Sequence, residues 1–212
     1  MNTKQRGILT AALVAALAVP ALGGEFNAVV DIGATMPSFS NLPATDGSTL
    51  SSSDLTEDVV VLVFLANHCP WVQGMDRDLV RLVDEVNGKS VRVVAVSVNH
   101  RDDDRLPAMR EHAKKAGYNF TYVYDESQNL GRALGATRTP EYFVFDEDRK
   151  LVYMGAIHDS PARRGRDGEI IYTRGEPATF HVRDAIRATL AGGPVPVAET
   201  RAHGCSLEYE QN

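Results

Sequence analysis

The chain has 212 residues, 28 acidic against 22 basic side chains and a formal charge of −6. No Lys/Arg-rich run interleaved with aromatic residues occurs, which argues against a nucleic-acid partner. The length suits a single domain once a leader is removed. That leader comes first in chain order. Lys4 and Arg6 precede the apolar stretch "ILTAALVAALAVPALGG", which Pro20 interrupts, and Ala21 and Gly23 are small residues just before a cut after Gly23. Basic start, apolar middle and small residues at the cut predict a secretory signal peptide over residues 1–23. The uncharged run is Ala-rich and barely as long as the roughly 18–20 residues of a membrane span, so cleavage is expected rather than anchoring. Removing Lys4 and Arg6 takes the formal charge from −6 to −8. The expectation is an exported protein, periplasmic or secreted, with no stable membrane span after cleavage. In such an oxidising compartment the pair Cys69 and Cys205 is more often a disulfide than two thiols.

Within Asn27–Ser53, Asp46-Gly47 predicts a turn in a small hairpin. Val59–Ala66, "VVVLVFLA", is a continuous β-branched run, as in a strand covered on both faces. After it, Val72, Met75, Leu79, Leu82, Val83 and Val86 recur on one helical face, and Asn87-Gly88 closes that helix. Val91–Val98 predicts a second buried strand. A helix is expected from Asp104 to Ala116, with Pro107 near its start. Phe120–Tyr124 predicts a strand, and Gln128–Leu134 a short helix ended by Gly135. Glu141–Ile157 reads as two strands joined at Glu147–Arg149. Pro161–Arg174, with Arg163, Arg164, Arg166 and Arg174, reads as a solvated excursion or a surface for an acidic partner. Thr179 is placed to cap a last helix over Phe180–Leu190. The order β-α-β-α-β-α followed by β-β-α predicts an α/β fold with a mixed central sheet between helical layers.

The chemistry centres on Cys69, where a strand ends and a helix begins. Unpaired N–H groups and the helix dipole favour an anion there, so this thiol is expected to ionise readily. Pro70 suits the first helical position. His68 can add charge or a hydrogen bond, or point away. Alternatively Cys69 is a small buried hydrophobe. Cys205 follows two prolines, Pro194 and Pro196, and Gly204 before it permits a close backbone approach. Two roles are open for it: a resolving thiol that releases an adduct on Cys69, or half of a permanent staple. His68-Cys69 and His203-x-Cys205 also offer soft ligands for Cu(I) or Zn, but the close cysteine pair of copper carriers is missing, and neither metal nor cofactor is expected. His100, His112, His158 and His181 read as solvated.

In their order and spacing, "NHCPWV", "RTPEYFVFD", "KLVYMG" and "GCSLEY" resemble the redoxins. This is the thioredoxin-like superfamily of alkyl hydroperoxide reductase and thiol-specific antioxidant proteins. They are most similar to a peroxiredoxin-like group that keeps only the first cysteine of the thioredoxin pair. The resemblance covers nearly all of the mature chain. It implies a thioredoxin-like three-layer sandwich over residues 24–193, with an inserted strand and helix, and a tail over 194–212 carrying Cys205. It implies that Pro140 is cis against Cys69, and that the backbone of Thr139 pairs with an extended substrate.

The chain departs from the pattern at Val72, where the second cysteine of a C-x-x-C pair stands. It departs again at Val63, where thioredoxins bury an acid, and it lacks before Cys69 the peroxiredoxin pattern of Pro, then Thr or Ser, then the peroxidatic cysteine. The expected function is therefore thiol-disulfide exchange. Cys69 is the nucleophile, Cys205 the resolving or pairing thiol, Thr139-Pro140 the platform and His68 an auxiliary. The partners are a thiol or disulfide substrate and a separate redox partner. The alternative is a non-catalytic binding module with a structural disulfide; peroxide reduction ranks below both.

Overall fold

The computed structural model of the chain describes residues 23–211. All of the expected signal peptide except Gly23 thus lies outside the described residues. In chain order the strands and helices are β1 (Leu42–Pro43), β2 (Thr49–Leu50), β3 (Val59–Phe64), α1 (Pro70–Val86), β4 (Val91–Ser97), α2 (Leu106–Ala116), β5 (Thr121–Tyr124) and α3 (Asn129–Leu134). They continue with β6 (Arg138–Thr139), β7 (Glu141–Phe145), β8 (Leu151–Gly155), β9 (Ala162–Arg164), β10 (Ile170–Tyr172), α4 (His181–Leu190) and β11 (Cys205–Ser206).

The main sheet has the order β5-β4-β3-β7-β8, with β3 parallel to β4 and antiparallel to β7. Every residue of β3 is buried, as a central strand covered on both faces requires. Its side chains alternate between two cores, following the period of two along a strand. Val59, Val61 and Val63 pack with Val72, Met75 and Leu79 of α1, Met109 of α2 and Val182 and Ile186 of α4. Val60, Leu62 and Phe64 pack on the other face with Leu50, Leu55, Leu130 and Leu134 of α3, and Leu207 of the tail. The result is the mixed sheet between helical layers that the element order predicts. Asp46-Gly47 turns the β1–β2 hairpin, with Gly47 at φ 91°.

Three local expectations change. Residues 102–104 form a separate short 3-10 helix, and α2 starts only at Leu106; Asp104 turns inward instead of opening the helix. Phe180, not Thr179, is the N-cap of α4: the Phe180 carbonyl accepts the Asp184 N–H, while the Thr179 carbonyl is taken by Asp159 N–H. The arginine-bearing segment is solvated at Arg163, Arg164, Arg166 and Arg174 as expected, but it is the ordered β9–β10 hairpin, laid on α1 at Gly74.

That contact makes Gly74→Ala a test of the packing. A Cβ there would sit 2.5 Å from Arg163 Cα and 2.6 Å from its carbonyl carbon and amide nitrogen. All three are backbone atoms, so no side chain can swing aside. Alanine gains roughly 1 kcal/mol in helix propensity, but displacing the hairpin costs about 1–3 kcal/mol, so net destabilisation is expected in urea unfolding. An unchanged or raised midpoint would show that β9 is not seated on α1.

Candidate active site

Cys69 is the N-cap of α1, with Pro70 at the first helical position. Strand β3 delivers it to the end of the sheet, and its side chain is 0 % exposed. Its sulfhydryl donates to the Thr139 carbonyl at 3.3 Å. The Thr139–Pro140 peptide is cis, the geometry that the resemblance implies at this turn. The two residues therefore lie against the Cys69 sulfur.

The other side of Thr139 is taken by the chain's own tail. Strand β11 runs antiparallel to β6, with Cys205 opposite Thr139 and Ser206 opposite Arg138. The Leu207 amide continues the ladder to the Thr137 carbonyl at 3.0 Å, and Ser206 Oγ accepts from the Arg138 guanidinium at 2.9 Å. Gly204 makes this approach possible: a Cβ on it would stand 1.8 Å from the Thr139 carbonyl oxygen. The two cysteines thus meet across Thr139, both as thiols in this structure. Cys205 is part-exposed. Burial pushes its thiol up, and the adjacent Cys69 sulfur adds to the shift, to about 12.

The tail does not hang on a flexible spacer. It is held along β8 by backbone bonds from Met154 to Ala198 and from Thr200 to Met154. Beyond Cys205 it is fixed again: Glu208 N–H donates to Asn99 Oδ1 at 2.9 Å, Glu210 N–H to Gln128 Oε1 at 2.8 Å, and Tyr209 hydroxyl to the Ala136 carbonyl at 2.8 Å. Arg132 lies over the Tyr209 ring, 4.9 Å from its centroid.

His68 does not point idly into solvent. Its Nδ1 lies 2.7 Å from Asp104 Oδ2, and its backbone N–H donates to Asp104 Oδ1 at 3.3 Å. Asp104 is 0 % exposed, and Oδ2 also accepts from Asn99 at 2.8 Å. The contact fixes the imidazole's orientation through Nδ1, as hydrogen-bonded histidines are generally fixed. Asn67 extends the network, donating to the Asp103 carbonyl at 2.7 Å and accepting from the buried Tyr122 hydroxyl at 3.1 Å.

Beside the pair opens a cleft of about 610 Å³ lined by Trp71, Arg138, Glu141, Arg201, His203 and Gly204, among others. Burial, reinforced by Arg174, Arg201 and Arg138, lowers the pKa of His203. Burial pushes the Glu141 carboxyl up, against the Thr137 and Arg138 N–H groups that donate to it.

Two acids and an amide escaped the sequence. Asp104 sits in the run Asp102-Asp103-Asp104, where nothing local marks one as buried; Asn99 follows β4 without a motif, and Glu141 opens β7 inside "RTPEYFVFD" with nothing local to mark it as buried. Among the other histidines, His158 corrects the solvated expectation outright. It is buried, and its Nε2 lies 3.3 Å from Asp78 Oδ2, which also accepts from the Tyr172 hydroxyl at 2.9 Å. Burial opposes ionisation of Asp78, but these hydrogen bonds and the charges of His158 and Arg77 outweigh it and hold the carboxyl below its ordinary range. His112 is also partly buried, with Nε2 3.3 Å from Asp76 Oδ2, and His100 lies 3.0 Å from Glu210. Among the described residues no group of three or more His, Cys, Asp and Glu side chains is arranged to hold a metal, and no helix is long and apolar enough to cross a membrane.

Comparison with known proteins bears on the family and the fold. The chain is similar to an uncharacterised conserved protein from Geobacillus kaustophilus, at 34 % identity and TM-score 0.75 over 85 % of this chain and 93 % of that one. It is similar to a hypothetical protein from Sinorhizobium meliloti, at 26 % identity and TM-score 0.76 over 86 % and 97 %. A third likeness, at 27 % identity and TM-score 0.51 over 58 % and 84 %, is to a putative thiol:disulfide interchange protein, DsbE, from Chlorobium tepidum. No curated protein matches. The fold is thus the thioredoxin-like one of thiol-disulfide oxidoreductases. Residues 31–177 match the redoxin family, and with a helix-capping cysteine against a cis-proline turn, the chain belongs to that family.

Proposed function

We propose that this redoxin is an exported thiol-disulfide oxidoreductase that cycles between the dithiol and a Cys69–Cys205 disulfide. The observation that carries the reading is the pairing of Cys205 with Thr139, which brings the tail thiol to the Cys69 sulfur. Val72 stands where a C-x-x-C pair has its second cysteine, and Cys205 of the tail supplies a second thiol instead. Cys69 caps the start of α1, where unpaired N–H groups and the helix dipole attract negative charge. His68, held by Asp104, is the auxiliary polar group beside it. Export is supported by the basic, apolar and small-residue order of residues 1–23.

One observation favours a second reading, the non-catalytic module with a structural staple: the tail is anchored on both sides of Cys205. The reduction potential separates the two. Titration against a dithiol redox buffer, read by thiol alkylation and intact mass, is expected to place the midpoint above about −300 mV, in the range of exchangeable bonds. A midpoint below that range would assign the bond to the staple.

A further inference from the structure

We infer that Cys205, not Cys69, is the sulfur that exchanges with external thiols: an incoming thiolate attacks Cys205 of the Cys69–Cys205 disulfide, and Cys69 leaves. This deepens the redox reading above and rests on it. It also reverses the division of labour that the sequence suggests, where the cysteine at the helix start meets the substrate and the tail cysteine resolves.

The first reason is access. Cys69 is 0 % exposed, packed among Ala66, Val72 and Met75 and closed off by Thr139 and the tail. Cys205 is part-exposed on a short strand whose next residue, Ser206, is fully at the surface. Displacement at sulfur requires the attacking thiolate to come in line, opposite the leaving sulfur. Cys205 is the sulfur with a part-exposed side, whereas Cys69 is enclosed in the core.

The second reason is the leaving group. Exchange is faster when the departing sulfur is the better anion. Cys69 departs onto the start of α1, where the helix dipole favours negative charge. Cys205 departs into part-buried surroundings that oppose a thiolate, so its expulsion by attack at Cys69 is disfavoured. Access and leaving-group quality select the same sulfur.

The third reason is the occupied platform. Thr139, whose backbone would pair with an extended substrate, is already paired with Cys205. A substrate strand cannot reach Cys69 along that edge without lifting a tail that is fixed at Asn99, Gln128 and Ala136. The neighbouring cleft, lined by Arg138 and Arg201 but also by Glu25 and Glu141, ends at Gly204 beside Cys205 and offers a thiolate an approach from that side.

The steps balance. A first thiolate forms a mixed disulfide with Cys205 as the Cys69–Cys205 bond breaks, with no net oxidation. A second thiolate takes the first substrate sulfur from Cys205. Two thiols become one disulfide, the protein disulfide becomes two thiols, and the protons shed by the substrates end on Cys69 and Cys205. In the reduced protein the Cys69 proton is the one donated to the Thr139 carbonyl.

The test treats oxidised full-length protein with reduced glutathione, quenches early with acid, alkylates the freed thiol and maps both modifications by peptide mass. Glutathione on the Cys205 peptide and the alkyl group on Cys69, in at least about tenfold excess over the reverse, is expected. Equal or opposite distribution overturns the inference and leaves the redox reading standing. A bond that forms but admits glutathione at neither sulfur overturns the inference and makes the pair a staple. Absence of a Cys69–Cys205 bond in the oxidised protein removes the redox reading and the inference together.

Discussion

Closing the Cys69–Cys205 bond is expected to raise the free energy of unfolding by about 5 kcal/mol in the chain-entropy description, because the bond closes a loop of about 135 residues in the unfolded chain. The native state asks for little in return. Register, the Leu207 ladder bond and the bare Cα of Gly204 already hold the two thiols at Thr139 before any bond forms. Urea unfolding of the oxidised protein against the same protein held reduced measures the difference. The value is tied to the redox titration: each 1.4 kcal/mol corresponds to about 30 mV, so about 5 kcal/mol lowers the potential by roughly 110 mV relative to the unfolded chain. Indistinguishable unfolding curves would show that the native state strains the bond by as much as the loop entropy gains. A gain well above the entropic figure would favour the staple.

Asp104→Ala is expected to cost about 3–5 kcal/mol, because several hydrogen-bond donors lose one buried acceptor. Three donors lose their acceptor at once: His68 Nδ1, the His68 N–H and Asn99 Nδ2. Asn99 is itself 0 % exposed, so water cannot readily replace the carboxylate there, and each buried donor left unmade costs about 1–3 kcal/mol. The damage passes to the tail, since Asn99 Oδ1 receives the Glu208 N–H. Asp104→Ala should therefore also slow formation of the Cys69–Cys205 bond in air, whereas Asp104→Asn, which keeps one acceptor, should fall between it and the unaltered protein. A loss below about 1 kcal/mol, no more than one ordinary hydrogen bond, would mean that the network does not anchor His68.

The framework was legible where periodicity is local. Val59–Ala66 is apolar at every position because β3 faces two cores, and the face from Val72 to Val86 repeats at helical spacing because α1 covers one of them. Gly204 was readable as a close approach, whereas the family likeness and not the residues carried both the cis geometry of Pro140 and its place against Cys69. What stayed hidden was set by distant partners. His158 looks solvated until Asp78, 80 residues away, and Tyr172 meet it in the interior. Asp104 is one of three consecutive acids, and only the fold brings it to His68, 36 residues back. The arginine segment has a solvated composition, but Gly74 lacks the side chain that would have kept it off α1. The tail's two prolines suggest a semi-rigid arm, while its docking depends on hydrogen bonds to β8, Asn99 and Gln128 that no local pattern announces.

The placement of β11 also imposes a timetable on biosynthesis. The sheet, α1, Asp104 and the Thr139–Pro140 turn are all translated before Cys205, and domains generally fold from their N-terminal parts onward as the chain emerges. Until the tail arrives, Cys69 is a solitary thiol beside an unpaired Thr139 edge, open both to a wrong cysteine and to a stray strand. A nascent chain halted upstream of Gly204 would hold every contributor to the redox centre but one. The second member of the proposed pair is thus the last to be made, and it is Gly204 that lets it down onto Thr139.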